Sequence, residues 1–177
     1  LEFRRVLFRS ATMAGGFLNN GGAITFNDTT SIHHNTATDT LADGFGGGGF
    51  YNDFGGVVSF GDSSSVHHNS APDSVAGGIF AEGAVALFGN ASVYANDAHG
   101  TRRGAGVVLA AFDADTTTFS MGGSSSVTGN LGGRNGGGIV AWQACGSNPP
   151  LISGAGSRTK RNTPNQIVIA AGCPVSW

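Results

Sequence analysis

Apolar positions along this chain come in three short runs, and the three-run unit itself recurs. Gly15–Ala37 reads GGFLNNGGAITFNDTTSIHHNTA and Gly48–Ala71 reads GGFYNDFGGVVSFGDSSSVHHNSA. Weaker copies occupy Gly77–Ala98 and Gly104–Leu131, and a degenerate one starts at Gly136. The first run follows a glycine pair and begins at Phe17, Phe50, Ile79, Val107 and Ile139. The second ends on Phe26, Phe60, Phe88 or Met121, preceded two positions earlier by Ile24, Val58, Ala86 or Phe119. A spacing of two puts both side chains on one face of a strand. The third run carries Ile32, Val66, Val93 and Val127, each three residues before Asn35, Asn69, Asn96 and Asn130, with Asn162 as a less regular fifth marker. These markers are 34, 27, 34 and 32 residues apart.

A period of this size signals a solenoid or a propeller. A propeller of the WD type needs four strands and ~40–45 residues per blade, and neither is present. No apolar stripe of helical period runs long enough for a helix, and glycine interrupts every candidate. The pattern predicts an all-β fold, a right-handed parallel β-helix of about five coils. Equivalent residues then stack ~4.8 Å apart, with Phe26, Phe60, Phe88 and Met121 as an inner column. Glycines are expected to serve the corners, where φ > 0 is accepted at little steric cost. The marker asparagines fit corners for the same reason, and their stacked amides are expected to form a structural ladder through Asn35, Asn69, Asn96 and Asn130. On this reading Asn69→Ala destabilises more than Asn52→Ala, because Asn52 is not a marker.

Composition narrows the class. Gly is 31 of 177 residues, more than twice the usual ~7%, yet there is no collagen period. Charged residues are 11%, against ~25% in typical domains. Few charges with many Gly, Ser, Thr and Asn suit a secreted or cell-surface β protein. No apolar run reaches the ~18 residues of a spanning helix, so no transmembrane segment is expected.

Residues 1–10, LEFRRVLFRS, share nothing with the repeat. The codons of a common short-read sequencing adapter translate to the same ten residues. This segment is therefore expected to be a cloning or assembly artefact, and 11–177 a single β-helix domain with an atypical C-terminal coil. Setting aside Glu2, Arg4, Arg5 and Arg9 leaves six basic and ten acidic residues. A net charge of −4 excludes a general nucleic-acid binder, which needs a basic footprint.

The segment GGAI at Gly21–Ile24, with the recurring S-[IV]-x-x-N, resembles the repeat of polymorphic outer-membrane proteins. It is also similar to other right-handed parallel β-helix repeats of pectin-lyase-like architecture. The likeness covers Gly15 to roughly Asn130, with Ile or Val where that family's F-x-x-N has Phe. It implies a β-helix like the autotransporter passenger regions of surface adhesins, or like polysaccharide-cleaving enzymes. Localisation at the outer membrane or outside the cell, and a glycan or protein partner on a host or neighbouring cell, come with the same resemblance.

Candidate chemistry is sparse. His33-His34 and His67-His68 occupy matching positions in consecutive copies. They read as a turn feature of the repeat. The alternative is a metal site shared by His33 and His67, since neighbouring residues on a strand face opposite ways and only one of each pair faces outward. Asp113 and Asp115, with Arg102 and Arg103 in the preceding turn, are solvated loop charges or, alternatively, the carboxylate pair and cation of a glycoside hydrolase or polysaccharide lyase. Asp28 and Asp62 are stacked turn acids, or a weak Ca2+ site; no cofactor is otherwise expected. Cys145 and Cys173 stand 28 residues apart, close to one coil, so a disulfide between stacked coils or two free thiols both fit. GDSSS at Gly61–Ser65 is not a nucleophile elbow, and GGGG at Gly46–Gly49 lacks the lysine of a phosphate loop.

The function expected is a non-catalytic segment presenting loops for adhesion or binding, chiefly Thr38–Gly47 and Ala110–Thr116. The alternative is a carbohydrate-active or glycan-binding β-helix using Asp113, Asp115 and Arg103.

Overall fold

The structure is a computed structural model that describes residues 5–7, 10–11, 13–38, 46–98, 106–111, 117–133, 136–142, 151–154 and 159–169. Every regular element among them is a strand; most sort into three long parallel sheets that the chain visits in turn, and Ser10–Ala11 pairs with Thr36–Ala37 in a fourth, two-stranded one. The first sheet stacks Phe17–Asn20, Phe50–Asp53, Ile79–Ala81, Val107–Ala110, Ile139–Trp142 and Ile167–Ile169. The second stacks Ala23–Phe26, Val57–Phe60, Ala84–Leu87, Thr118–Met121 and Leu151–Ser153. The third stacks Arg5–Leu7, Ser31–His33, Ser65–His67, Ser92–Tyr94, Ser126–Thr128 and Thr159–Lys160. The fold is therefore an all-β parallel solenoid. Three turns, those of Phe17–His33, Phe50–His67 and Ile79–Tyr94, are described strand to strand without a break, against the five coils expected. Elsewhere the ladders continue, but connecting residues lie outside the described set. Arg5–Leu7 pairs in register with Ser31–His33, so part of the segment set aside as foreign sits on the end of the third sheet.

The core lies between the three sheets. Phe50, Ile79, Val107 and Ile139 enter it from the first, and Ile32, Val66, Val93 and Val127 from the third, all fully buried. The second sheet corrects the expected column. Its register runs Phe26–Phe60–Leu87–Met121 and Ile24–Val58–Val85–Phe119. Leu87 and Val85 take the inward places expected for Phe88 and Ala86. Phe88 follows the last inward residue, lies at the corner, and is 41% exposed. Its ring occupies the space where a side chain on Gly61 would be. Matching copies by their largest residue misaligned this coil by one position, and a shift of one reverses the face of every side chain.

The first sheet is apolar on both sides. Tyr51, Phe80, Val108 and Val140 point away from the solenoid interior, yet they are buried in a second cluster with Val75 and Ala76. A strand covered on both faces reads as an unbroken apolar run, as VVLA and IVAW do.

The marker asparagines are joined along the solenoid axis. Nδ2 of Asn35, Asn69, Asn96 and Asn130 donates to Oδ1 of the next marker at 2.9–3.0 Å. The backbone N–H of each of the four donates to the same Oδ1 at 2.9–3.1 Å. The second proton on Nδ2 of Asn69, Asn96, Asn130 and Asn162 reaches back to the carbonyl of Ile32, Val66, Val93 and Val127. The chain of amides ends on Gln166, whose Oε1 accepts from both N and Nδ2 of Asn162 and whose Nε2 donates to Asn162 O. Buried amides satisfied in this way avoid a desolvation cost of ~1–3 kcal/mol each.

Two features of this corner differ from expectation. The left-handed residue is the one before each marker: His34, His68, Ala95, Gly129 and Arg161 have φ of 57°, 51°, 52°, 62° and 55°. Glycines do supply positive φ at other corners, at Gly21, Gly55, Gly89, Gly123, Gly129 and Gly154, but those directly ahead of the first run, such as Gly15-Gly16, Gly48-Gly49 and Gly77-Gly78, do not. Their second members approach the ladder closely. A Cβ on Gly16, Gly49, Gly78, Gly106 or Gly138 would lie 2.8–3.0 Å from the marker amide nitrogen of its own coil. GG and N are thus two halves of one packing unit. Gly78→Ala is expected to lower stability by ~1–3 kcal/mol in a urea titration, as overpacking does. Gly122→Ala, where an added methyl meets nothing within 4 Å, is expected to be near neutral; equal losses would refute the packing account.

Asn52 is not the neutral reference it was taken for. It is fully buried, accepts from Asn19 Nδ2 at 2.8 Å, and donates to Gly56 O and Ala84 O. Asn19 and Asn52, register partners in the first two copies, form a second, two-member ladder inside the first sheet.

Candidate functional site

The third sheet presents two outward columns. One is Ser31–Ser65–Ser92–Ser126, and the other is His33–His67–Tyr94–Thr128. Ile32 and its equivalents point inward between them, as alternation requires. Alternation fails at the next residue. His34 and His68 adopt positive φ, which turns their side chains to the same outer side as His33 and His67. The Nδ1 atoms of each pair lie 2.7 Å apart in His33-His34 and 2.8 Å apart in His67-His68. The expectation that only one imidazole of each pair faces outward is therefore corrected: all four do.

Stacking brings the pairs together. The His33 and His67 rings are parallel at 4.8 Å, His67 and Tyr94 at 4.6 Å, and His34 and His68 at 5.4 Å. His67 Nε2 lies 2.9 Å from Ser31 Oγ. Burial between two rings, with His33, His68 and His34 adding their charges, pushes the His67 imidazole down to about 4. The unfolded chain binds this proton near pH 6.5 and the folded chain only near 4. Folded stability contributed here is present above pH 6.5 and is lost as pH falls from 6.5 towards 4. Because the ring is only partly buried, screening reduces the effect to on the order of 1 kcal/mol. Melting temperatures of the protein and of His67→Gln, measured from pH 7.5 to 4, are expected to show a steeper acid loss for the unaltered chain; parallel curves would contradict it.

A second polar group, absent from the sequence reading, sits on the outer face of the first sheet. Tyr51 Oη donates to Glu82 Oε1 at 2.6 Å. The Tyr51 hydroxyl is pushed up from its ordinary range by burial first, then by the bond to Glu82 and the negative charges of Glu82 and Asp53. It stays protonated and acts as a donor. Asp53 is itself buried at 8% exposure and accepts from Phe54 N. The only signal in the sequence was a pair of acids, Asp53 and Glu82, at the ends of equivalent first-sheet strands. Those two places hold acids in these two copies alone among the described first-sheet strands, so the repeat does not mark them.

Asp28 and Asp62 occupy equivalent turn positions with φ of 56° and 52°, and Gly89 and Gly123 take the same place in the following turns. Asp28 N–H donates to Asp62 Oδ2 at 3.2 Å. A conformational role and this bond account for both aspartates. Among the described residues no three His, Cys, Asp or Glu groups converge on a point that could hold a metal ion. Asp113, Asp115, Arg102, Arg103, Cys145 and Cys173 lie outside the described residues.

The class of protein that fold and surface define is a parallel β-solenoid with amide-laddered corners. No family model matches the chain, and neither the curated proteins nor the solved structures contain a match. No helix among the described residues is long and apolar enough to cross a membrane.

Proposed function

We propose that this chain is a non-catalytic binding segment, secreted or held at the cell surface, which presents loops from a rigid β-solenoid to a glycan or protein on another cell. The observation that carries the reading is the bond between the strand ends on either side of 111–116. Thr117 is fully buried and its Oγ1 donates to Ala110 O at 2.7 Å. The two strand ends that flank 111–116 are therefore tied together, a base suited to presenting a segment from a constant place.

The outer faces of the second and third sheets support the same reading. The second sheet shows Ala23, Thr25, Val57, Ser59, Ala84, Ala86, Thr118, Ser120, Leu151 and Ser153 to solvent or part-solvent.

The test is a glycan array and a whole-cell binding assay with the purified chain, beside a variant in which 39–45 and 112–116 are replaced by short Gly-Ser links. Binding is expected in the first and loss without a fall in melting temperature in the second. Cleavage of polygalacturonate or another acidic glycan, abolished by Asp113→Ala, would replace this reading with the enzymatic one.

A further inference from the structure

We propose that His33-His34 and His67-His68 are two stacked bidentate sites for a divalent transition metal of tetragonal preference, Cu(II) above all. The argument rests on which nitrogens converge. Across coils, the His33 and His67 rings lie face to face at 4.8 Å with planes 6° apart. One ion cannot bridge rings so far apart with bonds of about 2.0 Å. Within a coil the two Nδ1 atoms share a hydrogen bond at 2.7 or 2.8 Å, and a metal ion at this place takes over from the shared proton. Two cis ligands on bonds of about 2.0 Å stand about 2.8 Å apart at 90° and about 3.3 Å apart at the tetrahedral angle. A metal that replaces the shared proton with least movement of the two rings takes the right-angled bite, which Cu(II) or Ni(II) prefers over the wider tetrahedral one of zinc.

The surroundings favour ligation through Nδ1 of His67. Metal-bound imidazoles generally give their other ring N–H to a fixed acceptor, which sets tautomer and orientation. Ser31 Oγ stands 2.9 Å from His67 Nε2 and can take that role. A proton on Nε2 leaves the Nδ1 lone pair for the metal. The neighbouring His68, exposed at its left-handed corner, brings its own Nδ1 to the same ion by moving its proton to Nε2. Two imidazoles per ion leave the other positions to water, in keeping with the absence of any three-group cluster among the described residues. The arrangement needs the left-handed corner: the third turn keeps positive φ at Ala95 but carries no imidazole there, so the array stops after two pairs.

Copper sulfate is titrated into the metal-free chain at pH 7.5 in a non-coordinating buffer, followed by calorimetry and by electron paramagnetic resonance. Two ions per chain are expected, each with hyperfine coupling to two imidazole nitrogens, and binding tighter than that of Zn(II). The double variant His34→Asn, His68→Asn keeps a side chain that tolerates positive φ and is expected to weaken both sites at least tenfold. His34→Asn alone is expected to lose one ion and keep the other, which preserves the test if the double variant is unstable. Asn90→Ala, at an exposed turn, is the control and leaves both sites unchanged. Absence of nitrogen coupling, a single ion held by four nitrogens, or full affinity in the double variant overturns the proposal.

Discussion

Asn96→Ala is expected to cost about 3 kcal/mol, more than any other polar substitution outside the ladder. Four hydrogen bonds leave with the side chain: those accepted by its Oδ1 from Asn69 N and Nδ2, and those donated by its Nδ2 to Val66 O and Asn130 Oδ1. Some partners survive. Asn69 Nδ2 keeps Ile32 O and Asn130 Oδ1 keeps the backbone N–H of residue 96. The backbone N–H of Asn69 loses the acceptor that Oδ1 supplied, in a position from which water is excluded, and that asymmetry sets the size of the effect. The reference is Asn90→Ala, an exposed turn residue, expected to fall within ~0.5 kcal/mol of the unaltered protein. Urea midpoints of the three proteins decide the matter, and coincident midpoints for the two variants would remove the ladder from any account of stability.

The second large effect is apolar. Phe60→Ala is expected to destabilise by about 3–5 kcal/mol, the transfer term plus the cavity left behind. Phe60 is 1% exposed, stacks on Phe26 at 4.9 Å and meets Phe50 edge-on at 5.9 Å. Neighbours held by three sheets have little room to collapse into the space. Phe88→Ala, at a residue 41% exposed, is expected to cost no more than about 1 kcal/mol. The contrast separates the register of the second sheet from the one that largest-residue matching suggests. Similar losses for the two variants would restore Phe88 to the inner column.

What could be read from the chain was what repeats. Ile32, Val66, Val93 and Val127 are in register and fully buried. Their copies carry the same residue type three positions before the same asparagine, so alignment was unambiguous. Phe88 and Ala86 failed because the third copy is shorter and offers two large apolar residues, Leu87 and Phe88, for one inward place. Gln166 was unreadable as the end of the amide chain because it does the work of an asparagine from outside the repeat. The Tyr51–Glu82 bond joins positions that recur in no other copy, and nothing local marks it.

The sequence by itself determined the class of fold. A three-run unit with period-two apolar positions, repeated at a coil's length, has parallel stacking as its economical burial, since one copy alone cannot cover its own apolar face. Tertiary structure decided the corner. There the chain before each marker asparagine turns left-handed, a glycine on the first sheet approaches the marker amide, and the four imidazoles come to one side. Those facts depend on contacts across a coil, between a glycine and a marker 18–24 residues apart, and on the sign of a single φ. Alternation along a strand describes neither. The GG and N signatures were visible one by one, and only the closed coil shows that each is the space the other fills.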